Sequence, residues 1–246
     1  MIIASGSPYD NATRTETFNW QNEDNYTCDL PDQPNGIGGA VPVLIENIEY
    51  ICGGGYPSTA HCFNLITADT APFNLLHKRV GASSVTANDK VFVFGGWNGI
   101  ERDMASYETI SVDHAQSEGV LPFTLSNGCS TLINSTTILL AGGRQHMTIK
   151  SEKTWLFNFE TEEWTQGPSM IEGRNTFGCG LIKSINSVAA FGGYPSIGRT
   201  EIVKTSELVK LPGGIFKKGN HQRLFDYKVL ILLFLQLMIC PLNFME

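Results

Sequence analysis

Six cysteines are the residues of this chain with the clearest covalent chemistry, because two thiols at the right separation can join in a disulfide. They are Cys28, Cys52, Cys62, Cys129, Cys179 and Cys240. None lies in a Cys-x-x-Cys pair, which excludes the spacing of zinc ribbons and thioredoxin-like redox sites. An even count in a chain of this length does not by itself assign a redox compartment.

The other reactive side chains form no recognisable site. The histidines lack metal-ligand spacing, and no Gly-x-Ser-x-Gly nucleophile elbow occurs. The run Gly53-Gly54-Gly55 is not a phosphate loop, because no Lys-Ser or Lys-Thr follows it. The sequence therefore predicts no metal, no cofactor and no enzymatic activity.

Three Asn-x-Ser/Thr sequons are candidate glycosylation sites, at Asn11, Asn25 and Asn134. All three fall in predicted turns, where a glycan is tolerated. Because so short a motif also arises by chance, the sequons favour secretion only weakly.

The composition is that of a folded, globular protein. Of 246 residues, 42% are hydrophobic and 17% are charged, and 25 are glycine, which favours an all-β protein with many tight turns. The net charge of −7 argues against nucleic acid as a partner, because phosphate binding requires a basic surface.

An apolar run that ends in two glycines recurs along the chain. The doublets are Gly53-Gly54, Gly95-Gly96, Gly142-Gly143 and Gly192-Gly193, after a weaker copy at residues 2–7. The first glycines of these doublets lie 42, 47 and 50 residues apart. Such a period indicates a solenoid or a propeller built from one repeated unit.

One unit, residues 125–170, shows the expected local structure. Two strands are predicted over 128–133 and 137–141, the second apolar throughout as expected near the centre of a propeller. The doublet follows, because glycine lets the backbone pack where a side chain would clash. After a polar loop, two further strands are predicted at 154–159 and from 164, and no sustained 3.6-residue pattern predicts a helix.

The stretch from Thr154 to Met170 resembles the second half of a kelch repeat, and Arg174 opens the next copy. This resemblance implies an all-β, kelch-type β-propeller of four to five four-stranded blades over residues 1–212. Kelch propellers usually have six or seven blades. We therefore expect a truncated chain whose ring is open or incompletely closed.

Some copies depart from the kelch pattern. Ser7 replaces the second glycine of the first copy. The arginine seen at Arg79 and Arg174 is replaced near Asn127 and near Asn35. We expect these units to pack less regularly.

In kelch propellers, the loops after the doublets and the loops between consecutive blades gather on one face. The resemblance places six segments there: 56–60, 97–103, 144–150 and 194–199, with 117–122 and 168–174 beside them. Aromatic and arginine side chains in such loops are the usual anchors of protein partners. The predicted anchors are Tyr56, Trp97, Arg102, Arg144, Tyr194 and Arg199.

Cys52 and Cys62 fall on predicted neighbouring antiparallel strands, so a disulfide between them would close the loop 53–60. Cys28 lies in the same region and could compete for either residue. The alternative is buried free thiols, since cysteine packs as a small hydrophobic residue.

The repeat pattern ends at residue 212, and residues 213–246 form a tail that is first basic and then hydrophobic. Its apolar run, 229–245, reaches about 25 Å as a helix, short of the ~30 Å hydrocarbon core of a bilayer. Membrane contact is expected only through this run. The alternatives are a membrane anchor, a removed lipid-anchor signal, foreign sequence, or a helix packed on the last blade.

The sequence predicts a non-enzymatic scaffold that binds other proteins through one propeller face, in an extracellular or cell-surface setting. One alternative is a cytoplasmic adaptor that resembles substrate receptors of ubiquitin ligases but has lost its BTB-type domain. The other is a galactose-oxidase-like enzyme, although the residues assemble no such metal site. Fold alone does not decide among these functions.

Overall fold

The computed structural model describes residues 2–4, 15–18, 26–27, 30–34, 36–99, 103–145, 148–195 and 198–208. In the first three of these ranges only the backbone is described. All of them belong to one compact unit, Met1–Ile215. Four predicted residues and the predicted tail lie outside the described residues: Asn11, Asn25, Cys28, Arg102 and 213–246.

Strands and turns make up nearly all of the described residues. The strands are β1 Ile2–Ala4, β2 Thr15–Phe18, β3 Tyr26–Thr27, β4 Val41–Ile45, β5 Ile48–Cys52, β6 Cys62–Asn64, β7 Ser83–Ala87, β8 Lys90–Phe94, β9 Met104–Ser111, β10 Gln116–Leu125, β11 Cys129–Leu132, β12 Thr137–Ala141, β13 Arg144–Gln145, β14 Ile149–Lys150, β15 Thr154–Asn158, β16 Glu163–Gln166, β17 Gly178–Ile182, β18 Ser187–Phe191 and β19 Thr200–Lys204. A 3-10 turn, Lys183–Ile185, and a one-turn helix, α1 Thr205–Leu208, complete the set.

Five antiparallel sheets follow one another along the chain. Their strand orders are β1-β2-β3, β4-β5-β6, β7-β8-β9-β10, β11-β12-β15-β16 and β17-β18-β19, here called the first to fifth sheets. The third and fourth have the four strands predicted for a blade, and the others have three within the described residues. The ribbon β13-β14 forms part of the loop after the third doublet.

The first strands of consecutive sheets lie against one another, which arranges the sheets around a common axis. Strand β4 contacts β7, β7 contacts β11, and β11 contacts β17. The Ser84 hydroxyl donates to the Pro42 carbonyl at 2.5 Å, and the Ser130 hydroxyl donates to the Ser84 carbonyl at 3.2 Å. These blades form no closed ring within the described residues.

The strand that ends in the glycine doublet is second in its sheet, not nearest the axis. In the second to fifth sheets it lies between the first and third strands. In the third and fourth sheets it is apolar after its first residue, because its alternating side chains pack against the sheets on both sides. The strand predicted to lie near the centre of the propeller is thus the second strand of its sheet.

Each of the first three described doublets packs against the chain segment that enters the next sheet. The second glycine of the doublet donates its N–H to a carbonyl there, Gly54 to Arg79 at 2.7 Å, Gly96 to Leu125 at 2.7 Å and Gly143 to Arg174 at 2.8 Å. The fourth doublet, Gly192-Gly193, has no such neighbour among the described residues.

The contrast between Gly142 and Gly192 gives a matched test of this packing. Both have a left-handed backbone, with φ of +61° and +67°. A Cβ on Gly142 would lie 2.7 Å from the Arg174 carbonyl oxygen, whereas a Cβ on Gly192 would meet no described atom within 4 Å. Gly192→Ala should lower the free energy of unfolding by about 1–2 kcal/mol through backbone strain. Gly142→Ala should lower the free energy of unfolding by about 1–3 kcal/mol more than Gly192→Ala, because its Cβ would overpack the contact with Arg174. Chemical denaturation of the two variants measures the difference, and equal losses would contradict the packing.

The hydrophobic core lies between consecutive sheets. Val41, Val43 and Tyr50 of the second sheet pack with Val91 and Ile110 of the third. An aromatic cluster fills the space between the third and fourth sheets, and its members are Phe92, Phe94, Tyr107, Phe123, Trp155, Phe157, Phe159 and Trp164.

Two sheets begin with a buried arginine that is held by a glutamate on the third strand. The Arg79 guanidinium donates to Glu108 Oε1 at 2.5 Å and to the Gly95 carbonyl at 2.6 Å, and both side chains of the ion pair are 0% exposed. The second carboxylate oxygen of Glu108 accepts the Leu76 N–H at 2.5 Å.

The fifth sheet repeats the same three-part arrangement. Arg174 is paired with Glu201, and the second oxygen of Glu201 accepts the Ile171 N–H at 2.7 Å. Leu76 and Ile171 each lie three residues before the arginine. The hydrogen bonds of each arginine and its glutamate therefore join one sheet to its own entry segment.

The second and fourth sheets replace all three parts together. The position four residues before the first strand holds Ile37 in the second sheet and Leu125 in the fourth, each two residues from the predicted replacement near Asn35 and near Asn127. The glutamate position holds Phe63 and Trp155. Where the glutamate is absent, the residue whose N–H it would accept is a proline, Pro34 or Pro122, which has no N–H. We call the arginine, the glutamate and the residue whose N–H the glutamate accepts the charged set, and the aliphatic residue, the aromatic residue and the proline the apolar set. The two sets are alternative ways of filling the same position in a sheet.

Two disulfides tie the described residues together. The candidate pair, Cys52 and Cys62, lies directly opposite on β5 and β6 and is bonded with an S–S distance of 2.04 Å. Cys129 and Cys179 join β11 to β17, the first strands of the fourth and fifth sheets. The second pairing was not predicted, and it links two neighbouring sheets covalently.

Candidate interaction face

The loops that follow the doublets all leave the same ends of the strands. The residue after the doublet is Trp97, Arg144 or Tyr194 in the third, fourth and fifth sheets. Each forms an antiparallel bridge with the residue three positions before the first strand of its sheet. These residues are Val80, Ser126 and Asn175 respectively. Three of the predicted anchors therefore occupy equivalent places in consecutive sheets. We call the surface formed by residues 56–60, 97–99, 144–145, 148–150 and 194–195 with 198–199 the loop face.

Side chains connect each loop of this face to the next. The Ser58 hydroxyl donates to the Asn98 carbonyl at 2.8 Å, which joins the loops of the second and third sheets. The ammonium of Lys150 lies 3.8 Å from the ring centroid of Tyr194, which joins the fourth and fifth by a cation–π contact. The loop face is thus one connected surface.

Arg144 connects the remaining two loops. Its guanidinium pairs with Asp103 Oδ1 at 3.1 Å, and the Ser126 hydroxyl donates to the same oxygen at 2.6 Å. The Asp103 side chain is 0% exposed, and that of Arg144 is 25% exposed. Arg144 was predicted as a partner anchor, and the structure gives its guanidinium an internal ion pair.

Two tyrosines are the most exposed aromatic residues of the loop face. Tyr56 is 60% exposed and Tyr194 is 57% exposed. Each precedes a proline across a cis peptide bond, and each follows its doublet closely in sequence. Trp97 is half-buried between Val80 and Asp103. The Arg199 side chain is 67% exposed and pairs with Glu172.

An open cleft of about 720 Å³ lies beside Tyr56. Its walls include the ring-bearing residues Tyr56, Pro57 and His61, together with Asn74 and Lys78. It therefore combines an aromatic side chain with hydrogen-bond donors and one positive charge.

One predicted loop is a strand. Residues 117–122 lie within β10, where Ser117 pairs with Thr109 and Val120 with Ser106. Pro122 lies at the irregularity between Val120 and Leu125, a place where an edge strand tolerates the missing N–H. The segment 168–174 does connect β16 to β17, as predicted.

The described residues hold no group of three or more histidine, cysteine, aspartate or glutamate side chains arranged to bind a metal ion. Within the same residues, no helix has the length and apolar character needed to cross a membrane. The exposed Asn134 lies in the turn between β11 and β12, at the strand ends opposite the loop face. Its side-chain oxygen accepts the N–H groups of Thr136 and Thr137.

Comparison with known proteins identifies one repeat and the fold. Residues 78–109 match the family model of the kelch motif, a segment that contains Arg79, the second described doublet and Glu108. The solved structure of YjhT is similar, with a TM-score of 0.68 and 13% sequence identity, and covers 84% of this chain and 78% of its own. No curated protein matches the chain. The predicted kelch-type β-propeller fold is confirmed, and its blades form no closed ring within the part of the chain that the structure describes.

Proposed function

We propose that this kelch-type β-propeller is a non-enzymatic scaffold that binds another protein through the loop face. The observation that carries the proposal is the continuous row of loops from four consecutive sheets, with Tyr56 and Tyr194 each more than half exposed. Tyrosine supplies a large contact area with few rotatable bonds, and it is enriched among the residues that dominate protein interfaces.

The internal contacts of the loop face also support binding. Asp103 with Arg144, and Lys150 with Tyr194, hold neighbouring loops in fixed positions. A surface fixed in advance loses less conformational entropy when a partner docks. Arg144 acts in this proposal by fixing the loops, while Tyr56, Tyr194 and Arg199 contact the partner.

We further propose that the protein acts in an oxidising compartment, outside the cell or at its surface. Two disulfides among the described residues support this setting, because such bonds persist in secreted proteins and are rare in the cytosol. Glycosylation at Asn134 would be compatible with it, since the residue is exposed in a turn away from the loop face.

The test compares the partners of the protein with those of a triple variant, Tyr56→Ser, Tyr194→Ser and Arg199→Ser. Affinity purification with quantitative mass spectrometry should find a partner whose recovery falls at least about tenfold in the triple variant, since each anchor contributes about 1 kcal/mol or more. The variant should fold normally, because all three side chains are largely exposed.

The matched control alters the opposite ends of the strands. Lys183→Ser and Ile185→Ser change exposed residues in the turn between β17 and β18. The partner should be retained by this control. The proposal fails if the loop-face variant keeps every partner of the unaltered protein, or if the control loses the same ones.

A further inference from the structure

A second cleft lies between the third and fourth sheets, at the strand ends opposite the loop face. It encloses about 480 Å³. The turn between β7 and β8 forms one wall, β9 and β10 form another, and the turn between β15 and β16 closes the third side. We call it the aromatic cleft.

Five aromatic rings form its floor, and they are those of Phe92, Tyr107, Phe157, Phe159 and Trp164. Phe157 stacks on Trp164 with ring centroids 4.3 Å apart, and Tyr107 lies 5.1 Å from Phe157. Phe159 and Trp164 are only half-buried, so part of each ring borders the cleft. The faces of aromatic rings carry negative charge that attracts cations.

The rim of the cleft is acidic. It contains three glutamates, Glu118, Glu160 and Glu162, against the single cation Lys90. The exposed Glu118 is 2.9 Å from His77 Nε2. Carboxylates at the edge of an aromatic floor add a longer-range attraction for positive charge to the local attraction of the rings.

The Tyr107 side chain lines this cleft and is only 7% exposed. Gly119 lies against it, and any side chain at Gly119 would collide with the ring and the hydroxyl. Burial, and secondly the negative charge of Glu162, raise the pKa of Tyr107, so the hydroxyl stays neutral and lies in a negative potential.

We propose that the aromatic cleft binds a methylated ammonium group. Such a group is positively charged and weakly hydrated, and a quaternary ammonium has no N–H that requires an acceptor. Aromatic faces with nearby carboxylates are the surroundings that stabilise it, as in the aromatic cages that bind choline and methyl-lysine. The group belongs either to a small molecule or to a methylated lysine side chain, and the two sources share this chemistry.

Titration calorimetry with choline tests the charge requirement. We expect saturable binding with a Kd of about 0.1–1 mM. The control ligand is 3,3-dimethylbutan-1-ol, which has the same shape but a neutral carbon in place of nitrogen. It should bind at least about tenfold more weakly, because it lacks the cation–π attraction. Equal binding of the two ligands would overturn the proposal.

Two matched variants test the location. Glu162→Gln removes a rim charge and should weaken choline binding about two- to fivefold. Glu163→Gln removes the same charge one residue away, outside the cleft lining, and should leave binding unchanged. Both residues are exposed, so both variants should fold. Trp164→Leu should abolish binding, with circular dichroism to verify its fold. Equal effects of the two glutamine variants would contradict the assignment.

Peptides identify the source of the ammonium group. A trimethyl-lysine peptide is compared with the same peptide carrying unmodified lysine. Tighter binding of the methylated peptide than of choline assigns a protein source, and the reverse assigns a small molecule. The proposal is rejected if choline and the methylated peptide both fail to bind saturably at about 10 mM. This test is independent of the loop face, since none of the three variants changes a loop-face residue.

Discussion

Glu108→Ala should lower the free energy of unfolding by about 3–5 kcal/mol, because it leaves the guanidinium of Arg79 buried without its partner. Both side chains of this ion pair are 0% exposed. The substitution also removes the acceptor of the Leu76 N–H. Urea denaturation of the purified variant measures the loss.

A compensated variant separates the ion pair from simple disruption of the site. Leu76→Pro, Arg79→Ile and Glu108→Phe together copy Pro34, Ile37 and Phe63 of the preceding sheet. This triple variant should recover more than half of the loss, because it replaces the charged set with the apolar set that already fills the same position. It also provides a folded comparison if Glu108→Ala does not fold.

The control for this prediction is the exposed pair Arg199–Glu172. Glu172→Ala should change stability by less than about 1 kcal/mol, since exposed ion pairs contribute little. If Glu108→Ala and Glu172→Ala lose equal stability, or if the compensated variant is no better than Glu108→Ala, the interpretation of the two sets is wrong.

Removing the Cys129–Cys179 disulfide should lower stability by about 4 kcal/mol in a Cys129→Ala, Cys179→Ala variant. The bond closes a loop with a sequence separation of 50 residues, and the entropy it removes from the unfolded chain grows with loop length. Removal of the Cys52–Cys62 disulfide, which has a sequence separation of 10, should lower the free energy of unfolding by less, about 3 kcal/mol.

Denaturation with and without reductant measures both effects. Reductant should bring the unaltered protein to the stability of a variant that lacks both bonds. A thiol assay in denaturant without reductant should find at most two free thiols, those of Cys28 and Cys240 (six cysteines less four in disulfides). If the Cys129→Ala, Cys179→Ala variant is as stable as the unaltered protein under oxidising conditions, this bond does not stabilise the fold.

The repeat could be predicted from the sequence because each unit needs a glycine doublet at the same place in its backbone. A doublet such as Gly142-Gly143 needs a left-handed backbone and close approach to the next sheet, and glycine meets both conditions. The Cys52–Cys62 pair was also accessible, since both residues lie on neighbouring strands of one predicted unit. Both features depend on residues within one repeat, so a single sequence is enough to predict them.

Contacts between neighbouring sheets were harder to predict from the sequence. Cys129 and Cys179 lie one repeat apart, and only the placement of β11 beside β17 brings them together. Residues 117–122 were assigned to a loop by their resemblance to the loops between kelch blades, yet they continue the edge strand β10. The partnership of Arg144 with Asp103 likewise depends on the spacing of neighbouring sheets.

The charged and apolar entry sets were visible only in part. The sequence signals the arginine at Arg79 and Arg174, but nothing local connects it to a glutamate 29 or 27 residues later. The prolines Pro34 and Pro122 looked like ordinary turn residues. Their meaning becomes clear once Leu76 and Ile171 are seen to donate their N–H groups to Glu108 and Glu201.

The entry sets have a consequence for how such a chain diversifies. Contact between one sheet and the next at the doublets uses a glycine N–H and a main-chain carbonyl, which do not depend on side-chain identity. Each charged or apolar set spans one module, from the entry segment of a sheet to its third strand. Duplication or recombination with a breakpoint just ahead of Leu76 would therefore transfer a complete charged set. Neighbouring modules can then change polarity independently without losing their common junction.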